Sequence, residues 1–145
     1  MWVQQKNEPL FKQWGTTLPG KNVLMLKLQV TMQAPMRAVI ETITDYERRQ
    51  KWDKNLFDFK VLYETPCKCY RRIYYAFHSP KFVADRDFYL EQHMRREYPK
   101  PGMCTVFIRS LPENPDEMPE QGRRIRAKAL PFVGFIFTAR FDEEL

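Results

Sequence analysis

The strongest constraint on what this chain can fold into is a two-residue rhythm of apolar side chains. Leu24, Leu26, Leu28, Val30 and Met32 alternate with Met25, Lys27, Gln29 and Thr31. On an extended backbone this puts a wholly apolar face opposite a largely polar one. The rhythm returns in Phe57, Phe59, Val61 and Tyr63 against Asp58, Lys60 and Glu64. Cys69, Arg71, Ile73, Tyr75 and Phe77 share one face of the next segment, and Phe88, Leu90, Gln92 and Met94 alternate with Tyr89, Glu91 and His93. Turn formers separate these runs: Leu18-Pro19-Gly20-Lys21-Asn22, Thr65-Pro66, Ser79-Pro80 and Pro99-Lys100-Pro101-Gly102. Val3 to Lys6 and Leu10 to Gly15 read as two short strands, and Met103 to Leu111 as another. Gly122 to Leu130 reads as the last clear strand, with Ile125, Ala127 and Ala129 on one side. Pro112 to Gln121 reads as an acidic loop. Phe132 to Phe137 is an apolar patch, either a final strand or a segment whose partner is absent.

One stretch changes period. Ala34-Pro35 opens a helix, with proline in the first turn where its missing N–H costs little. Met36, Val39, Ile40 and Ile43 then recur at helical spacing through Tyr46, which predicts one long helix with an apolar stripe facing a sheet. Sequential strands joined by hairpin-length turns, plus one helix, give an α+β class: a curved antiparallel sheet wrapped around a helix. Such a sheet encloses either a packed core or a cavity, and the alternating aromatic faces suit both.

Composition narrows the function. A chain of 145 residues makes one domain, residues 1–145. It can bury roughly 68–70% of its unfolded surface without staples. The net charge of +6 favours anionic surfaces, phosphate or acidic lipid headgroups, but no block of five or six like charges occurs, so most basic runs read as solvated strand faces. Nucleic acid is not the expected partner, because no recognition motif accompanies the basic residues. Cys67, Cys69 and Cys104 read as reduced thiols, since no second Cys or His pair stands at a zinc-like interval from Cys67-Lys68-Cys69. The start of the chain has neither a signal-peptide core nor a cleavage site, and no apolar run reaches membrane-spanning length; a cytoplasmic protein with peripheral membrane contact is expected. Two histidines, no Gly-x-Ser-x-Gly elbow and scattered glycines argue against an enzyme; neither metal nor cofactor is expected. Asp85 and Asp87 could be paired acids, but Arg86 between them points to an internal salt network.

Several motifs, in order, resemble one family. Arg48-Arg49-Gln50-Lys51-Trp52-Asp53-Lys54 follows the helix. Ile73-Tyr74-Tyr75 precedes a proline-containing loop and Asp85-Arg86-Asp87-Phe88-Tyr89. Val106-Phe107-Ile108-Arg109-Ser110 and Gly122-Arg123-Arg124-Ile125-Arg126-Ala127 come after it. Together they resemble the START family, the steroidogenic-acute-regulatory-related lipid-transfer domains, over most of residues 1–138, and are most similar to its phosphatidylcholine-transfer-protein type. The resemblance implies a helix-grip fold and a single lipid held in a tunnel, without catalysis. It names Arg71, Ile73, Tyr75, Phe77, Phe88, Leu90, Gln92 and Met94 as candidate lipid-binding residues, and Trp52, Asp53, Arg86 and Asp87 as its structural motif.

Two departures from the family bear on the ligand. Several members carry an arginine at the position of Gln92 and an acid near Ile73; both charges are missing here. This turns the expectation toward a neutral lipid, a sterol-like ligand or a differently anchored phospholipid headgroup, with Arg71 as a substitute anchor. The family's closing C-terminal helix has no counterpart before Leu145, so the fold is expected to be incomplete at the C-terminus, or covered by a protein partner. That suggests a second function, a protein-interaction module on a START scaffold that has lost ligand and lid. Plainer readings stand beside these: Trp52 as a core plug, Arg86 and Asp87 as fold staples pairing with neighbours or with Asp53, and the inward aromatics as a collapsed core.

Overall fold

The computed structural model of the chain describes residues 1–120, 122–129 and 132–139. It divides into two compact units, Met1–Ala34 and Pro35–Leu145. The first is an antiparallel meander of β1 (Val3–Glu8), β2 (Phe11–Thr17) and β3 (Leu24–Val30). Phe11 faces Val30 and Gly15 faces Leu26 across β2 and β3, as the alternation requires. The connection to β3 closes through Lys21 N–H to Leu18 carbonyl, with Gly20 at φ 73°, a left-handed conformation that glycine adopts at no steric cost. The apolar row Leu24, Leu26, Leu28 and Val30 is exposed.

The second unit begins with α1 (Met36–Thr44) and α2 (Tyr46–Trp52), followed by β4 (Leu56–Glu64), β5 (Tyr70–Phe77), β6 (Arg86–Arg96) and β7 (Met103–Ser110). The two-residue β8 (Ile125–Arg126) and β9 (Val133–Thr138) complete it. The antiparallel sheet runs β4-β5-β6-β7-β9, with β8 added in parallel to β6. Its alternating residues point to two covered faces. On the inner face Tyr46, Ile73, Leu90, Val106, Ile108 and Ala129 form a buried cluster, packed by Phe59, Tyr75, Phe88, Met94, Phe135 and Phe137. Each fully buried aliphatic side chain there is worth about 1.5–3 kcal/mol. The helices lie on this face: α2 contacts β4 and α1 contacts β9, the two edges of the sheet. Two bulges in β4, at Leu56/Asp58 and Val61/Tyr63, bend the strand and shift its alternation. Among the described residues no helix is long and apolar enough to cross a membrane.

Four expectations need correction here. The single long helix is two, broken at Asp45 (φ −87°, ψ 104°), whose side chain accepts the Arg48 N–H at 3.1 Å and caps α2. An aspartate competes for backbone donors better at a helix start than inside one, and the periodic stripe hid that. The strand from Gly122 shrinks to Ile125–Arg126, with Ala127 N–H still reaching the Asp87 carbonyl; Leu130 lies outside the described residues. It fits only along the part of β6 that β7 leaves unpaired, since β7 stops opposite Leu90. Cys67 and Cys69 are not free thiols but a disulfide: Lys68, at φ 56°, folds the turn so that their Cα atoms stand 5.2 Å apart, while Cys104 is the free, buried cysteine. Trp52 is no core plug, being 52% exposed at the end of α2 with its indole N–H on the Thr42 carbonyl. The apolar patch near the end is indeed a strand, β9; Pro131 and the segment 140–145 lie outside the described residues.

Candidate functional site

The inner face of β5 and β6 is built by register. Ile73 faces Leu90, Tyr75 faces Phe88 and Arg71 faces Gln92, so all eight candidate lipid-binding residues fall on one side of two neighbouring strands. They are not equivalent there. Ile73, Leu90 and Gln92 are almost completely buried. Tyr75, Phe77 and Phe88 make an aromatic cluster with centroids 4.9–6.3 Å apart, extended by Tyr46 at 6.1 Å from Tyr75 and by Phe59 at 6.3 Å from Tyr46. Such tilted pairs add to the area they bury. Arg71 and Met94 line a cavity of about 650 Å³, whose other walls include Ile40, Thr44, Tyr46, Phe59, Val61 and Glu64. That volume is in the range of small-molecule sites.

The cavity wall is largely charged: besides Arg71 and Glu64 it includes Arg37, Glu41, Asp45, Glu47, Arg48, Lys68 and Arg96. Arg71 is buried; its guanidinium meets the Glu64 carboxylate at 2.5 Å and donates to the Thr44 carbonyl at 2.9 Å. The ion pair, buried at Arg71 and partly exposed at Glu64, therefore joins β4 to β5 and ties both to the end of α1. Arg71 is an anchor, as its inward position suggested, but one already engaged by the protein. The Tyr46 hydroxyl donates to Gln92 Oε1 at 2.9 Å. Burial pushes the Tyr46 phenol well above its ordinary value, and pushes Tyr75 up to about 12. Both rings therefore stay neutral at physiological pH, beside the charged Arg71–Glu64 pair.

Of the structural motif residues, Asp87 points to the other face of the sheet, since it alternates with Phe88 along β6. Asp87 is fully buried, held by Arg126 through two contacts of 2.7 and 3.1 Å and by the Tyr74 hydroxyl at 3.1 Å, with Arg124 at 3.7 Å. Burial of this bidentate pair staples the segment around β8 onto β6. Arg86 instead donates to Ser79 Oγ and the Ala84 carbonyl. Neither reaches Asp53, which pairs with Arg49 at 3.1 Å, and Asp85 caps Ser79 N–H beside His78; the expected internal network of Asp85, Arg86 and Asp87 does not form. Glu117 in the acidic loop bonds both Arg72 and the Tyr89 hydroxyl on the same outer face. Glu91, also on that face, sits lower than its ordinary value: burial works to raise it, and hydrogen bonds to Arg109 and His93 outweigh that. Among the described residues no group of three or more His, Cys, Asp or Glu side chains is placed to hold a metal ion.

Sequence reasoning missed Tyr46 and Glu64 as site residues. Tyr46 closes the helical stripe three positions after Ile43, so its inward direction was readable; its bond to Gln92 was not. Glu64 gave no such signal, because the bulge at Val61/Tyr63 turns it toward Arg71.

No family model matches the chain, and no curated protein matches its sequence. Solved structures do match its fold. The lipid transfer and protein localization domain of human StarD13 superposes with a TM-score of 0.79 at 21% identity, covering 98% of this chain and 68% of that one. A fragment of the STAR-related lipid transfer protein from Xanthomonas axonopodis gives 0.78 at 18% identity, covering 97% of this chain and 75% of that one. Human STARD10 gives 0.78 at 17% identity over 93% of this chain, which spans only 53% of that structure. The chain thus has the helix-grip fold of the StAR-related lipid transfer domains.

Proposed function

We propose that residues 1–145 act as one lipid-binding domain, holding a single lipid against the inner face of β5 and β6 and carrying it between membranes without catalysis. The observation that carries this reading is the cavity of about 650 Å³, walled in part by Ile40, Tyr46, Phe59, Val61 and Met94 and joined through Tyr46 to the Tyr75 ring, in a fold whose solved representatives are lipid transfer domains. An acyl or ring system placed there gains about 0.8 kcal/mol for each CH₂ taken from water. Ile73, Tyr75, Phe77, Phe88, Leu90 and Met94 supply the apolar contacts, and Arg71 and Gln92 the polar ones.

The protein works in the cytoplasm and touches anionic bilayers transiently. The loop after β5 supports this contact: Phe82 is 99% exposed at φ 70°, with the Lys81 ammonium 5.8 Å from its ring. A ring and a cation held in water together suit the headgroup layer of an acidic membrane. The test is native mass spectrometry of purified protein after exposure to vesicles, followed by transfer between donor and acceptor vesicles. A protein that comes away empty of every lipid refutes the reading.

A second reading is favoured by the exposed apolar row of β3, Leu24 to Val30. It makes the chain a protein-interaction module on the same scaffold, its apolar surface met by another protein. Sedimentation separates the two: self-association without bound lipid supports the second, and a lipid-loaded monomer refutes it.

A further inference from the structure

The loop between β5 and β6 begins with a serine whose oxygen already lies on a cation. Ser79 precedes Pro80, and Val83 N–H returns to the Pro80 carbonyl at 3.0 Å, closing a turn with Lys81 and Phe82 at its tip. Pro80 to Ala84 are exposed, and Ser79 is half-buried at the base of the turn. Its N–H donates to Asp85 Oδ1 at 2.9 Å, and its Oγ accepts from Arg86 Nη1 at 2.9 Å. The same Nη1 donates to the Ala84 carbonyl at 2.7 Å. Both partners of this guanidinium are neutral oxygens. Among the described residues it pairs with no carboxylate, and its Nε and Nη2 make no hydrogen bond.

An arginine fork with unused N–H groups is a ready receptor for phosphate oxygens, which it can take two at a time. The Ser79 hydroxyl, already on that guanidinium, would hold a covalent phosphate within its reach. The following proline supplies the recognition signal. Proline-directed protein kinases select a hydroxyl residue followed by proline, whose fixed φ and missing N–H set it apart from other residues. The sequence holds one other such pair, Thr65-Pro66. There the hydroxyl is closed into the turn between β4 and β5: Thr65 Oγ1 accepts Tyr70 N–H at 3.1 Å and donates to the Tyr70 carbonyl at 3.2 Å. Of the two, Ser79 is the one that opens an exposed loop and has a cation beside its oxygen.

We propose that Ser79 is a phosphorylation site, its phosphate received by Arg86, and that the modification releases the loop from acidic membranes. This rests on the membrane contact given above to Lys81 and Phe82 and names its regulation. In the step itself Ser79 Oγ attacks the γ-phosphorus of ATP on the kinase. The new O–P bond forms as the bond to ADP breaks, and the hydroxyl proton passes to a kinase carboxylate. The phosphate brings about two negative charges to the loop that holds Lys81, and stands against Asp85, whose carboxylate caps Ser79 N–H. Each charge near an acidic bilayer changes partitioning roughly fivefold, so two should weaken binding about twentyfold.

The test treats the full chain with ATP and a purified proline-directed kinase and maps the phosphate by mass spectrometry. Binding is then measured to phosphatidylcholine vesicles with and without phosphatidylserine. A phosphate on Ser79 and the weakened binding to the phosphatidylserine vesicles are expected, and neither in Ser79→Ala. Pro80→Ala keeps the hydroxyl and should also lose the modification, which serves should the first variant not fold. A kinase that leaves Ser79 unmodified, or marks Thr65 in its place, overturns the proposal while the membrane reading stands; so does modified protein that binds as tightly as before. Unmodified protein that ignores the phosphatidylserine vesicles overturns the membrane reading, and the switch with it.

Discussion

Replacing Asp87 by asparagine removes one charge from the best-buried ion pair among the described residues and keeps the side chain's size. The wild-type carboxylate has no solvent exposure and accepts from Arg126 Nε at 2.7 Å, Arg126 Nη2 at 3.1 Å and the Tyr74 hydroxyl at 3.1 Å. The Arg126 side chain is itself only 9% exposed, so the guanidinium it leaves behind cannot recover its hydration. Breaking a buried pair from one side costs about 3–5 kcal/mol, because an uncompensated charge remains. For a chain of this length that corresponds to a fall in Tm of roughly 10–15 °C. The assay is urea unfolding of Asp87→Asn, Arg126→Met and the double variant. The double variant should lose far less than the two singles together, since removing both partners strands neither charge. Hydrogen exchange adds a local readout: the amides of Ile125 and Ala127, bonded to the Asp85 and Asp87 carbonyls at 2.8 and 2.9 Å, should lose protection first. Single variants that cost under about 1 kcal/mol, or losses that simply add, would refute the claim that this pair staples β8 to the sheet.

Three further outcomes follow from the same packing. Tyr46, Tyr70, Tyr74, Tyr75 and Tyr89 are all raised above the ordinary 10.0, chiefly by burial, with Tyr74 and Tyr75 at about 12. The fold therefore favours their protonated forms: their contribution is complete below pH 10 and is lost as pH rises from about 10 toward 12, so tyrosinate absorbance should appear late and together with unfolding. Thiol titration should find no reactive group in the native protein, one after denaturation (Cys104) and three after reduction, and two fast native thiols would contradict the Cys67–Cys69 bond. Arg71→Met should cost about 2–3 kcal/mol by denaturant melting, less than Asp87→Asn, because the Glu64 side chain it abandons is 31% exposed and can take up water; an equal or greater loss would count against that ranking.

How much of this was legible in the chain depends on the range of the interaction. The faces of β5 and β6 were readable residue by residue, because strand geometry sends alternate side chains to opposite sides whatever the partner. The same rule located the Arg71, Ile73 and Gln92 side of the sheet before any contact was known. It failed where one extra residue intervenes: the bulges of β4 redirected Glu64, and a single aspartate divided a helix whose apolar stripe continued through the break.

What the sequence determined by itself, then, was a mostly antiparallel α+β fold with an aromatic inner surface carrying one arginine, Arg71, since periodicity and residue type are local properties. Only the tertiary structure decided which polar groups on that surface are spent. Arg71 looked like a free anchor and is paired with Glu64 and bonded to the Thr44 carbonyl, while Gln92 looked like one more inward polar residue and accepts from Tyr46; the Arg71 Nε and the Gln92 Nε2 each make no hydrogen bond among the described residues. Hydrogen-bond partners that stand 27 and 46 positions apart along the chain come together only when the helices settle on the sheet, and no local pattern encodes that meeting.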